Sequence, residues 1–263
     1  MTLAMTPEHI LRWYAEAGVD ETIGDAPVDR YAQALAAPPR PAAPPARPQA
    51  PSAPAVVTTP TPQRATAAHL AMACKSLHDL REAMEGFDGC GLKKTCQRTV
   101  FADGNPEAKL MLIGEAPGAD EDRLGLPFVG ASGRLLDRML LSIGQDRSSV
   151  YITNVVPWRP PGNRKPELAE VELCLPFITR HIELIDPAIL VFLGGAPASA
   201  LLARQDAISR LRGRWLDYSS SGLARPIPAM PTFHPAYLLR TPAHKREAWH
   251  DFLAISKRLQ PSS

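Results

Sequence analysis

From Lys109 onward the chain alternates short, unbroken apolar runs with longer segments in which apolar residues recur every three or four positions. The runs are Lys109-Leu-Met-Leu-Ile-Gly114, Val150-Tyr-Ile-Thr-Asn154, Ala188-Ile-Leu-Val-Phe-Leu-Gly194 and Ile227-Pro-Ala-Met-Pro-Thr-Phe233. A short run with no polar alternation predicts a strand buried on both faces. Helical periodicity predicts helices over Ser132–Ile143, Glu167–Ile185, Ala196–Leu202 and Lys245–Leu259. Upstream, residues 67–85 predict one helix with Leu70, Cys74, Leu77 and Leu80 on a single stripe. Strands that alternate with helices imply parallel crossovers, so the fold class is α/β, a three-layer α/β/α sandwich.

Composition changes the picture at the N-terminus. Of 28 prolines in 263 residues, ten fall between Pro38 and Pro62. That stretch is almost entirely Pro, Ala, Thr and Ser, too poor in apolar surface to offset the entropy of ordering. Residues 7–17 carry Ile10, Leu11, Tyr14 and Ala17 at helical spacing and end at Gly18. The expected organisation is a short helical element over 1–36, a disordered Pro/Ala-rich linker over 37–66, and a folded α/β/α domain over 67–263. Hydrophobic residues are 45% of the chain, which excludes disorder throughout. No apolar run approaches the ~18–20 residues of a membrane span, and the first residues do not read as a signal peptide. Four scattered cysteines make no disulfide framework, so a cytoplasmic protein is expected.

Charge adds a polarity. Residues 1–37 hold six acids and two bases, whereas residues 204–258 hold ten bases and four acids. A basic C-terminal third suits a nucleic-acid partner, and equally suits a solvated charged face.

In parallel α/β sheets, ligands bind at the carboxyl ends of the strands, and unusual residues follow three of the four runs. The first run enters Gly114-Glu115-Ala116-Pro117-Gly118, then Asp120, Glu121 and Asp122, then Gly125-Leu-Pro-Phe128-Val-Gly130-Ala-Ser-Gly133. Its backbone N–H groups can face an anion or a carbonyl, and Phe128 reads as core or as a stacking platform. It is not a dinucleotide fingerprint, because the glycine spacing is wrong and three acids would repel a pyrophosphate. The second run ends in Thr153-Asn154, an amide able to donate and accept at once or simply to cap a turn. The last ends in Phe233-His234-Pro235-Ala236-Tyr237-Leu238-Leu239-Arg240.

These segments, with Arg159-Pro-Pro-Gly-Asn163-Arg164, resemble the uracil-DNA glycosylase superfamily, and its family 4, the iron–sulfur type, in particular. The likeness runs through about residues 67–259 in the same order and does not reach residues 1–66. It implies a central four-stranded parallel sheet and a monofunctional hydrolase of base excision repair, cutting the N-glycosidic bond of deoxyuridine in DNA. It implies that Asn154 reads the edge of a flipped uracil, Phe128 stacks on it, and His234 holds its O2 as charge develops. Backbone amides at Glu115 and Ala116 would complete the anion hole. Tyr237, Leu238 and Leu239 would wedge into the base stack, and Arg164 and Arg240 would hold phosphates. The implied partner is uracil-containing DNA. A monomer is expected, with the N-terminal helix and Pro-rich arm as the place for any protein partner.

Two features depart from the resemblance. Where the best-known branch has a water-orienting aspartate, this chain has Ala116; Glu121 is the acid expected to take that role, with Asp122 and Glu115 as alternatives. The four cysteines that hold the family 4 cluster correspond to Phe87, Cys90, Trp158 and Cys174. A cubane takes four ligands, normally Cys. No cofactor and no metal are therefore expected. The alternative functions are a uracil-DNA binder without turnover and a glycosylase for another deaminated base.

Overall fold

The structure is a computed structural model and describes residues 62–260. Expectations for the helix over 7–17 and for the linker up to residue 61 fall outside those residues. The chain enters through α1 (Pro62–Ala73) and α2 (Leu77–Gly86), where one helix over 67–85 was expected. Ser76 divides them. Its Oγ accepts from the Asp79 N–H at 3.1 Å, and the Asp79 carboxylate accepts from the Ser76 N–H at 3.0 Å, a reciprocal cap that starts a new helix. Residues 62–66, expected in the linker, form the first turns of α1.

The four apolar runs become the inner strands of one sheet: β2 (Leu110–Gly114), β3 (Tyr151–Asn154), β4 (Ile189–Leu193) and β6 (Ile227–Thr232). They lie parallel in the order β3-β2-β4-β6. Two short strands, β1 (Asp103–Gly104) and β5 (Leu216–Tyr218), pair antiparallel on the outer edges and make the sheet six-stranded. Neither was expected, because two or three residues carry no periodicity. They cover backbone groups that an open edge would leave unpaired.

The remaining helices are α3 (Ala119–Leu124), α4 (Ala131–Leu141), α5 (Leu168–Ile185), α6 (Gly195–Leu202), α7 (Ile208–Leu211), α8 (Pro235–Arg240) and α9 (Lys245–Leu259). Side chains alternate across a strand, and both faces here are apolar. Met111, Ile113, Leu190 and Phe192 point into a core shared with α1, α2, α5 and α6. Leu110, Leu112, Val191 and Leu193 point the other way, against Leu136 and Leu140 of α4 and Phe252 and Ile255 of α9. Covered on both faces, the sheet leaves the carboxyl ends of its strands as the place for chemistry. No helix among the described residues is long and apolar enough to cross a membrane.

Candidate active site

Strand register brings the first two site residues together. Gly114, the last residue of β2, pairs with Asn154, the last of β3. A Cβ on Gly114 would overlap both the Asn154 Oδ1 and the edge of the Phe128 ring. Glycine at this strand end therefore lets an amide from one segment and a ring from another meet over bare backbone. Phe128 in turn stacks with His234, ring centroids 5.5 Å apart and planes inclined 30°. His234 follows β6 and lies close over Gly194, which follows β4. Asn154, Phe128 and His234 thus converge from three segments on one spot above the sheet.

Asn154 is buried, and its Oδ1 has no hydrogen-bond partner among the described residues. An unpaired buried acceptor costs about 1–3 kcal/mol and marks a place where a donor from outside is expected.

His234 is the N-cap of α8, with Pro235 at the first helical position. Its Nδ1 accepts the Ala236 N–H at 3.0 Å, so in the neutral ring the proton sits on Nε2. Burial pushes the imidazole down to about 4; Arg240 acts in the same direction and Glu121 against it. The ring is therefore a neutral Nε2–H donor at pH 7. Because its ordinary value is 6.5 and its folded value is lower, its contribution to stability is intact above about pH 6.5 and is lost between there and about pH 4. Imidazole NMR should show the Nε2–H tautomer at pH 7 and a titration midpoint near 4. A midpoint near 6.5 would contradict this environment.

The acids after β2 are placed differently from the expectation. Glu121 is buried, and both of its carboxylate oxygens accept backbone hydrogen bonds: Oε2 from Gly118 N–H at 3.1 Å, and Oε1 from Val129 and Gly130 N–H at 3.0 and 2.9 Å. It closes the loop around Phe128. Asp122 is likewise buried, accepting from Gln97 and Arg98 N–H with Arg159 3.8 Å away. Glu115 is half-buried, with no side-chain hydrogen bond among the described residues. Burial raises its carboxyl above the usual range, and Lys165 opposes the shift.

The expected DNA-contacting residues separate. Leu238 is in the core beside Phe233 and Ala248. Tyr237 packs on Phe233 at 5.1 Å and on His244 at 5.5 Å, so neither is free to insert into a base stack. Only Leu239 of that trio is exposed, next to exposed Arg240. Helical spacing in α8 is the reason, since it turns residues 237 and 238 back onto the domain. Arg164 is held by both oxygens of Glu170, at 2.8 and 2.6 Å, and is not a free cation. Leu124 and Leu126, which flank Gly125 just before Phe128, are exposed.

Phe87, Cys90, Trp158 and Cys174 are all buried in the core on the α5 face of the sheet. The Phe87 and Trp158 rings stack at 6.4 Å and 22°, and Phe87 meets Phe177 edge-on at 5.2 Å. Trp158 Nε1–H donates to Thr99 Oγ1 at 3.1 Å. A hydrogen bond from Cys174 brings the Cys90 thiol down to about 7, and the same contact together with burial raises that of Cys174. Cys74 and Cys96 bond elsewhere, to the carbonyls of Leu70 and Lys93. Two thiols and two inward rings do not fit a four-iron cubane, which needs four ligands around an open volume.

Comparison with known proteins agrees with the geometry. The family described as "Uracil DNA glycosylase superfamily" matches residues 101–253. A Type-4 uracil-DNA glycosylase of Archaeoglobus fulgidus is 39% identical over 187 residues, 70% of this chain and 93% of that protein. One from Thermotoga maritima is 37% identical over 160 residues, 60% of this chain and 81% of that protein. A Type-5 uracil-DNA glycosylase of Thermus thermophilus is 35% identical over 121 residues, 40% of this chain and 55% of that protein.

Proposed function

This chain belongs to the uracil DNA glycosylase superfamily, and we propose that it hydrolyses the N-glycosidic bond of deoxyuridine in DNA, leaving an abasic site. The observation that carries the reading is the orphaned Asn154 Oδ1 beside the Phe128 ring and the His234 imidazole. A base inside a duplex is out of reach of such a pocket, so the nucleotide is flipped out and read by its edge and its face. Uracil offers an N3–H donor to Asn154 Oδ1 and an O4 acceptor to the amide N–H. Cytosine reverses both signs and would leave buried polar groups unpaired, at about 1–3 kcal/mol each. Thymine has uracil's edge, so the amide alone does not exclude it. Phe128 supplies the face for stacking.

In the reaction the bond between C1′ and N1 breaks and its electron pair moves onto the uracil ring, largely to O2. The Nε2–H of neutral His234 and the backbone N–H groups near Glu115 and Ala116 stabilise that anion. Water then adds at C1′ of the oxocarbenium-like sugar, and the proton it loses passes through solvent to neutralise the departing uracil anion. A developing anion in a dry site is stabilised most by donors already in place, which is what a capped, tautomer-fixed imidazole offers. Glu115, the acid near the pocket without a hydrogen bond among the described residues, is the candidate to hold the water. Leu239 and Arg240, on the rim, serve as the apolar insert and the phosphate contact.

We infer further that the protein works without an iron–sulfur cluster, since aromatic rings occupy two of its four positions. Free thiols, two of them in contact, suit a reducing cytoplasm. The reading of a monomer carries over from the sequence. The test is strand cleavage by alkali after incubation with a uracil-containing oligonucleotide, beside controls with thymine, hypoxanthine and xanthine. Breaks at uracil and none at thymine are expected. Retention of the DNA without breaks would show a binder, and breaks only at hypoxanthine or xanthine would show a different base preference.

A further inference from the structure

Phe128 has φ +55°, in the left-handed region that residues with a Cβ rarely occupy. Its ring can face the pocket only while its backbone stays there, so something must hold three consecutive peptide groups against relaxation. On one side Glu121 does so, through the N–H groups of Val129 and Gly130. Those bonds fix the peptides that follow Phe128. They leave its own carbonyl, and that of Pro127, to another partner.

That partner is Arg147, which lies in the turn before β3 and is distant in sequence. Its Nη1 donates to the Pro127 carbonyl at 3.1 Å, and its Nη2 donates to the Phe128 carbonyl. The same guanidinium is anchored by Asp137 on α4, with Nε to Oδ1 at 2.8 Å, and by Asp103 on β1, with Nη1 to Oδ2 at 2.6 Å. Behind the Phe128 carbonyl lies Gly133 of α4, where a Cβ would collide with the carbonyl oxygen. The carbonyl is thus trapped between a bare helix backbone and a cationic fork. Lysine could pair with either aspartate, but only the planar, five-donor guanidinium reaches two carboxylates and two carbonyls together.

We propose that Arg147 is a positioning residue for uracil excision: by clamping the carbonyls of Pro127 and Phe128, it sets the plane of the Phe128 ring against which the flipped base stacks. It touches neither base nor sugar. The proposal rests on the reading of Phe128 as the stacking platform.

A double-mutant cycle tests it, with single-turnover excision from a uracil oligonucleotide as the readout. Arg147→Gln should lower excision about tenfold in the parent background and less than about twofold in Phe128→Ala, because contacts that act through one ring are not additive. Arg147→Lys should recover the melting temperature through Asp103 and Asp137 without recovering excision. Independently of activity, the His234 ring protons feel the Phe128 ring current, and their shifts should move in Arg147→Gln as they do in Phe128→Ala. Equal losses in both backgrounds, full rescue by lysine, or unmoved His234 shifts would each overturn the assignment. If the parent releases no uracil while the shifts still move, the clamp stands and the glycosylase reading is what fails.

Discussion

His234→Asn should lower uracil excision by roughly 10²–10³-fold, the usual loss when one donor to a developing oxyanion is removed, and leave the melting temperature close to that of the parent. The choice of asparagine matters. His234 has a structural duty, accepting the Ala236 N–H to cap α8, and asparagine is among the best N-caps. It keeps the cap and removes the Nε2–H donor, so activity and stability part company. His234→Ala removes both and should cost about 1 kcal/mol of stability besides the rate. Asn154→Ala is the complementary case. Its Oδ1 has no partner among the described residues, so truncation relieves an unsatisfied acceptor and stability should hold within about 1 kcal/mol or rise. Excision should fall by about two orders of magnitude, as the hydrogen bonds to the base edge are lost. Parent-level excision by His234→Asn or Asn154→Ala would remove that residue from the site. Single-turnover rates together with denaturant titrations separate the two effects.

Much of this was legible in the chain because it is local. Buried strands need unbroken apolar runs, so Leu110–Ile113 and Ile189–Leu193 announced themselves, and the residues just past them marked the site. Asn154, Phe128 and His234 were picked out at strand ends or in the loop that follows one, and the fold brings them together. What was not legible depends on partners far along the chain. Glu121 reads in the sequence as the acid that orients water, because its bonds to Val129 and Gly130 are made only by the fold, and nothing in a run of acids says which one turns inward. Arg147 carried no signal at all, since its target carbonyl lies 19 residues away and is brought near only by the fold. Tyr237 and Leu238 read as an exposed wedge until α8 turned them onto Phe233 and the core. The break at Ser76 was local and was still passed over, because the apolar stripe ran straight through it. Side chains spent on backbone groups are where sequence reading loses its grip.

The aromatic pair in the core gives the second large effect. Close-packed interiors leave few voids larger than a water molecule, so a core that held a cubane in a relative would need new volume in its absence. Phe87 and Trp158 bring two large buried rings to that core. Both rings are buried and stack on each other in the core that also holds Cys90 and Cys174, and Phe177 meets Phe87 edge-on. Truncating a buried aromatic costs about 3–5 kcal/mol, from lost transfer energy and from the cavity left behind. Phe87→Ala and Trp158→Ala should each destabilise by that amount in chemical denaturation. Trp158→Phe should cost less, since it keeps most of the volume and gives up the Nε1–H bond to Thr99. Cys90→Ala and Cys174→Ala each remove a single sulfur and the weak bond it makes, and each should cost less than either ring truncation. In a protein built this way all five substitutions report on packing, and none should alter an iron content. Purified anaerobically, the parent should be colourless. Stoichiometric iron and sulfide in that preparation, or ring truncations that cost less than about 1 kcal/mol against the 3–5 expected, would mean that Phe87 and Trp158 do not fill this core.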